Sequence, residues 1–278
     1  MSRPVVQDTS SSLRKALALL DAFSEHDVEL SIRELSRRSG VARSTAHRLA
    51  ADLVDWGALE RTPRGLRLGV KLFELGTKAP ASLTLRNLAL PFAHHLHEVT
   101  RLTVNLAVRQ GDEIVYLEKI ASPALRVPHT RFGGRAPLHA TALGKAILAH
   151  TDSADVDRLL AGPLVALTPK TIVDPDLLRS ELDRVRRERV AYDVEESQLG
   201  LFCVAAPVLD AAGYAIAAVS VTGATALDEA RRFAPAVLTT AFAIAGARRS
   251  GSRARPSAEG LAQRTRRSSA RSMSRDST

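Results

Sequence analysis

From Ser12 to Phe23 the apolar residues return every three or four positions: Leu13, Ala16, Leu17, Leu20 and Phe23. That spacing predicts an amphipathic helix, with Ser10, Ser11 or Ser12 as its N-cap. A polar break follows at 25–29. Ser31 then predicts the cap of a short second helix, and Glu34, three residues on, completes a capping-box pattern. Ile32 and Leu35 point inward from it, and Gly40 ends it. A third helix is predicted over Ala42–Trp56, with Ala46, Leu49, Leu53 and Val54 on one face and Gly57 as its stop. Leu59-Glu60-Arg61 and Leu66-Arg67-Leu68 flank Thr62-Pro63-Arg64-Gly65, which reads as a hairpin. A connecting helix is predicted over Val70–Gly76.

Beyond Pro80 a longer helical pattern covers Leu83–Val99, carried by Leu85, Leu88, Phe92, Leu96 and Val99. From Thr100 the period shifts towards two. Residues 103–108 and 114–117 flank the turn Gln110-Gly111-Asp112. Further strands are predicted at 191–194, 203–209 and 214–222, the last two joined by a turn at 210–213. Helices are predicted at 140–149, 153–160, 175–188 and 226–246. Hairpins outnumber strict strand-helix-strand units, so this half is α+β with an antiparallel sheet. From Arg248 onward the chain is Arg, Ser, Ala and Thr with few large apolar residues, and disorder is expected. The resulting divisions are 10–76, a linker helix at 77–99, a second domain at 100–247, and a basic tail at 248–278.

Composition sharpens this picture. The chain has 278 residues, 45% hydrophobic and 25% charged, enough for two globular domains. Its net charge of +9 is unevenly spread: residues 248–278 hold nine arginines against two acids, whereas 81–247 are almost neutral. A polyanion therefore concerns the two ends more than the middle. A single cysteine, Cys203, excludes an internal disulfide and a cysteine-rich zinc site. No run is long and apolar enough to span a membrane, and residues 1–12 carry no secretory pattern. A cytoplasmic protein without a membrane partner is expected.

Helix, short helix, Gly turn, helix and basic hairpin is the order of a winged helix-turn-helix. Gly40 supplies the turn, and Val41 wedges between helices. The third helix buries Ala46, Leu49 and Leu53, leaving Arg43, Ser44, Thr45, His47 and Arg48 near its N-terminal end. That end of a recognition helix meets base edges in the major groove, where arginine grips guanine and Ser or Thr reaches a base or phosphate. Arg61, Arg64 and Arg67 on the hairpin are expected near the adjacent backbone or the minor groove. Double-stranded DNA is the partner this arrangement fits.

These N-terminal residues, including Ser31-Ile32-Arg33-Glu34-Leu35 and the run Val41 to Leu49, resemble the helix-turn-helix of the IclR family of bacterial transcriptional regulators. The run Arg135 to Ala146, the run Tyr192 to Glu196 followed by Leu199 to Val208, and Ala217 to Gly223 resemble signatures of the family's second domain. The resemblance covers roughly Ser10 to Gly246. It implies a GAF-like effector domain and a homodimer or homotetramer on a palindromic operator. The implied ligand is an organic acid, an aromatic metabolite or a quorum-type signal. The implied pocket residues are Ala142, Leu143 and Gly144 at a helix start, with Asp193, Leu201, Cys203, Ser220 and Thr222. Bulky Leu143 departs from the pocket segment of some family members and would make the cavity smaller or less polar.

The residues themselves agree in kind. Gly144 permits close backbone approach, and helix N-terminal amides favour a carboxylate. Ser220 and Thr222 alternate with apolar residues and so share one sheet face; they either line a cavity or meet solvent. Asp193 either accepts from a ligand hydroxyl or caps a loop, and Asp193, Glu195 and Glu196 together also read as a solvated acidic turn. Cys203 also reads as a small buried hydrophobe. Gly144-Lys145 lacks the spacing of a phosphate loop. His94, His95 and His97 lack the context of a metal site, so neither cofactor nor metal is expected. An effector-controlled regulator, more naturally a repressor than an activator, is the leading reading, and no enzyme is expected. A ligand-transforming enzyme and a sequence-indifferent DNA-compacting protein are the alternatives.

Overall fold

The structure, a computed structural model, describes residues 11–24, 26–123, 131–224 and 230–253. The chain divides into two compact units between Leu83 and Thr84.

In the first unit, α1 (Ser12–Asp21) is capped by Ser11, whose hydroxyl accepts from the Arg14 amide. Helix α2 (Ile32–Ser39) is capped by Ser31. The anticipated capping box forms by half: the Glu34 carboxylate turns to Arg37 and Arg38, whose charge-assisted bonds outcompete the Ser31 amide. Gly40 follows in the left-handed region at φ 71°, the conformation the tight turn into the next helix requires. Helix α3 (Arg43–Trp56) ends at Gly57, whose amide closes onto the Leu53 and Val54 carbonyls. The wing pairs β1 (Leu59–Thr62) with β2 (Gly65–Leu68) antiparallel, and Leu30 bridges to Leu66. Leu19, Leu35, Val41, Ala46, Leu49, Leu59 and Leu66 form the core. Helix α4 (Val70–Gly76) buries no residue.

Helix α5 (Pro80–Thr100) spans the division. The second unit is built on one antiparallel sheet in the order β5-β4-β3-β8-β7-β6. Its strands are β3 (Thr103–Gln110), β4 (Glu113–Ile120), β5 (Arg135–Pro137), β6 (Ala191–Val194), β7 (Phe202–Leu209) and β8 (Ala215–Gly223). Strand β5 has no counterpart in the periodicity, because three residues are too few to show alternation.

The two sheet faces bury different sets. Val104, Leu106, Val204, Val219 and Val221 pack with residues of α5 and of the C-terminal helix α9 (Ala234–Arg253). Ala107, Ala205 and Ala218 pack on the other face with residues of α6 (Ala142–Leu148), α7 (Ser153–Leu160) and α8 (Pro175–Glu188). Helix α9 continues past Arg248 to Arg253, so the tail expected to be disordered from 248 begins as helix. The three arginines of 248–253 favour helix, Gly251 does not, and the preceding turns supply the nucleus that a short segment lacks by itself. Residues 254–278 lie outside the described residues, as do 226–229, the expected start of the last helix.

Candidate functional site

The first candidate surface is the outer face of α3. Its apolar stripe, Ala46, Leu49 and Ala50, is buried in the first core. Arg43, Ser44, His47 and Arg48 are exposed in consequence, and Thr45 is half-buried. Arg48 lies 3.6 Å from Asp52, one turn on, with both side chains more than 60% exposed; such a pair is weak and yields to a stronger partner. The helix starts at Ala42, which offers no side-chain cap, so its first amides remain available to an anion. On the wing, Arg61 is exposed, Arg64 is paired with Glu29 at 2.8 Å and Arg67 with Glu60 at 2.7 Å. The eight exposed or half-buried groups of α3 and the wing thus share one small unit.

The second candidate site is a polar row on the sheet face that carries α6. Strand pairing sets Asp193 opposite Cys203, Cys203 opposite Thr222, Thr222 opposite Thr103, and Ser220 opposite Asn105. Thr103, Asn105, Asp193, Ser220 and Thr222 are all at most 2% exposed. Ser220 and Thr222 therefore do not meet solvent. The Thr222 hydroxyl accepts from the Asn105 amide at 3.3 Å and meets the Cys203 sulfur at 3.1 Å. Thr103 accepts from the Ser122 amide. The Asn105 carbonyl oxygen and the Ser220 hydroxyl, neighbours in this row, are buried without a hydrogen-bond partner among the described residues. Buried polar atoms are nearly always paired, so two such atoms side by side mark a place adapted to bind.

Charge in the row is tuned by burial. Desolvation raises the Asp193 pKa, against the hydrogen bonds it accepts from Ser197 and Glu196. Those bonds decide between the two readings of Asp193: its carboxylate caps the 194–197 loop, taking both amides and the Ser197 hydroxyl at 2.5–3.2 Å. Burial likewise pushes the Cys203 thiol well up, which keeps it protonated and unreactive. Lys119, opposite Asn105 on β4, is partly buried, and burial lowers its ammonium pKa.

Gly144 has a packing role. A Cβ there would fall 2.2 Å from the Leu138 carbonyl oxygen, and the Gly144 amide is already bonded to the Thr141 hydroxyl. The glycine lets α6 press on the 138 backbone. Ala142 and Leu143 are buried, with α6 packed across β7 and β8. Leu201 is buried just before β7, two residues from Cys203 and of the same alternation.

Three contributors escaped the reading of the sequence. Thr103 and Asn105 alternate with Val104 and Leu106 just as Ser220 and Thr222 alternate with Val219 and Val221, and that signal was present. Lys145, 1% exposed, carried none: its ammonium donates to Glu196 at 2.5 Å and to Glu181 at 3.3 Å, ligating α6 to α8 and to the loop after Asp193. Burial raises the Glu196 pKa, so Glu196 is not part of a solvated acidic turn.

An exposed recognition-helix surface on a winged helix-turn-helix, joined to a domain with a buried polar sheet face, defines a ligand-responsive DNA-binding protein. The chain belongs to the IclR family of transcriptional regulators. Residues 12–63 match the IclR helix-turn-helix domain and residues 77–245 the C-terminal domain of the bacterial transcriptional regulator IclR. It is 35% identical to the HTH-type transcriptional regulator XynR of Escherichia coli over 231 residues, 82% of this chain and 90% of that one. It is 30% identical to the transcriptional repressor IclR of the same organism over 217 residues, 76% and 79% of the two chains. Among solved structures, an IclR homolog from Microbacterium hydrocarbonoxydans in complex with 4-hydroxybenzoate superposes with a TM-score of 0.80 at 28% identity, covering 86% of this chain and all of that one. The protein is a DNA-binding transcriptional regulator whose C-terminal domain binds an effector. No described helix is long and apolar enough to cross a membrane.

Proposed function

We propose that this regulator is a cytoplasmic repressor that holds a palindromic operator as a homodimer, or as a pair of such dimers, and responds to a small organic acid or aromatic acid. The observation that carries the ligand reading is the adjacent unpartnered pair, the Asn105 carbonyl oxygen and the Ser220 hydroxyl, in the row with Thr222 and Asp193. Ser220 donates or accepts as the ligand requires, and the Asn105 oxygen accepts from a ligand hydroxyl. Lys119 sits on the same sheet face and complements a carboxylate. Ala142, Leu143, Leu201 and Cys203 supply apolar walls, the usual balance of a small-molecule pocket. The IclR homolog solved with 4-hydroxybenzoate supports the same class. The effector is bound and released unchanged, in line with the named relatives, which are regulators.

DNA contact falls to Arg43, Ser44, Thr45, His47 and Arg48 in the groove, with Arg61 and Arg64 of the wing on the backbone. Two recognition helices must match half-sites about one helical turn apart. A ligand that prefers one arrangement of the dimer shifts the population and so the operator affinity, by no more than its preference allows. The domain limits that go with this reading are 10–76 for DNA, 77–99 for the linker helix and 100–247 for the effector.

The test is a thermal-shift screen of the full-length protein against small organic and aromatic acids, followed by operator gel shifts. At least one acid is expected to raise the melting temperature and weaken operator binding. The variant carrying Asn105→Ala and Ser220→Ala is expected to lose both responses while still binding the operator. A response that survives in that variant places the effector elsewhere.

A further inference from the structure

Helix α9 and the end of β7 enclose a groove of about 290 Å³ on the opposite side of the sheet from the polar row. Its apolar side chains are Pro207 and Leu209 from β7 and Leu238 and Phe242 from α9, and the turn at Asp210, Ala211 and Gly213 completes the wall. Its rim carries two guanidinium groups, Arg189 and Arg249. Arg189 lies 5.7 Å from the centre of the Phe242 ring, and neither arginine has an acidic partner within ion-pair distance among the described residues. Arg109, Arg135, Arg158, Arg179 and Arg184 of the same unit are each paired with a carboxylate. Asp210 also lines the groove, and its carboxylate accepts from the amides of Ala212 and Tyr214.

The backbone supplies a second, independent observation. Arg189 ends α8 in the left-handed region at φ 58°, a position where glycine is the unstrained choice. A long cationic side chain stands there, and its guanidinium lies over the Phe242 ring. Phe242 itself is 52% exposed, so its ring is accessible from the groove.

We propose that this groove is a second ligand site, separate from the effector row, for a small amphipathic carboxylate. The apolar body lies between α9 and β7, against Leu238 and Phe242, and the carboxylate is held by Arg189 and Arg249. An apolar wall with a few convergent polar groups is the composition of a ligand pocket, and the volume sits near the lower end of roughly 300–1,000 Å³, which limits the body to a short acyl chain or one ring. Arginine suits the head group because its planar fork matches a carboxylate. A ligand there ties α8, through Arg189, to α9 and β7.

The experiment is calorimetric titration of the full-length protein with octanoate, with 1-octanol as the uncharged control. Three proteins are compared: the parent chain, the double variant Arg189→Gly with Arg249→Gln, and the effector-row variant Asn105→Ala with Ser220→Ala. Glycine at 189 relieves the left-handed strain, so the groove variant is expected to melt no lower than the parent. Octanoate is expected to bind the parent and the effector-row variant alike, at least tenfold more weakly to the groove variant, and better than octanol. The proposal is overturned if octanoate does not bind the parent at millimolar concentration. It is equally overturned if the groove variant binds as well as the parent, or if only the effector-row variant loses binding.

Discussion

Gly144 and Asp193 both stand in segments that look functional, and both serve the fold that holds the function. Gly144 lets α6 meet the Leu138 backbone, with no room for another carbon. Gly144→Ala is therefore expected to destabilise the second unit by about 1–3 kcal/mol, as overpacked cores do, read as a lower denaturation midpoint. An unchanged midpoint would mean that the α6 contact is looser than it looks. Asp193 poses a question of pH. Burial raises its pKa, so the folded protein keeps the proton to higher pH than the unfolded chain, whose carboxyl titrates near the ordinary 3.8. Folding is thus favoured most below that value and loses ground as pH climbs towards the raised one. Asp193→Asn keeps an acceptor for the Glu196 and Ser197 amides but cannot ionise. Its melting temperature is expected to gain on the parent's over the pH range above the ordinary carboxyl value of 3.8. A gap that stays constant over that range would show that ionisation of Asp193 costs the fold nothing.

At the level of elements, α3 divides its labour by side. Ala46, Leu49 and Ala50 anchor it, while Arg43 and Arg48 touch nothing that the core needs. Removing both arginines is expected to cost operator affinity about 1–3 kcal/mol each without shifting the thermal midpoint, as measured by fluorescence anisotropy on an operator duplex and by melting curves. Equal loss on operator and on unrelated DNA would assign the two side chains to phosphates instead of bases. Helix α6 behaves in the opposite way. Every one of its residues is buried, and its lysine is spent on Glu196 and Glu181. Breaking one partner of such a buried pair leaves an uncompensated charge, which explains why Lys145 suits a rigid floor beneath the polar row better than a movable ligand contact.

The molecule as a whole exposes apolar residues where the first unit alone gives them no partner. Leu13 and Leu17 lie one turn apart on α1 and are 69% and 51% exposed; Val70 and Phe73 of α4 are 63% and 70% exposed. Such strips are what a second copy covers in a symmetric dimer. Replacing Leu13 and Leu17 by glutamate is expected to shift the protein towards monomer in sedimentation velocity and to weaken operator binding by more than tenfold, because two half-sites then bind independently. A variant that remains dimeric would move the interface away from α1.

Much of the architecture was readable along the chain. The helices of the DNA-binding unit announce themselves through three- and four-residue spacing, and Gly40, Gly57 and Ser31 mark their ends where expected. The alternation at 103–108 and 214–222 marks strands, and the exposed positions of α3 follow from its apolar stripe alone. These features depend on neighbours a few residues away, so a linear pattern contains them. The polar row does not. Asn105 and Thr222 share a hydrogen bond across 117 positions, and whether Ser220 meets solvent or lies buried depends on α6 covering that face. Lys145 reads as an ordinary surface lysine until Glu181 and Glu196 arrive from α8 and the 194–197 loop. Burial of polar groups is a property of paired strands and packed layers, and only the folded chain brings those partners within reach.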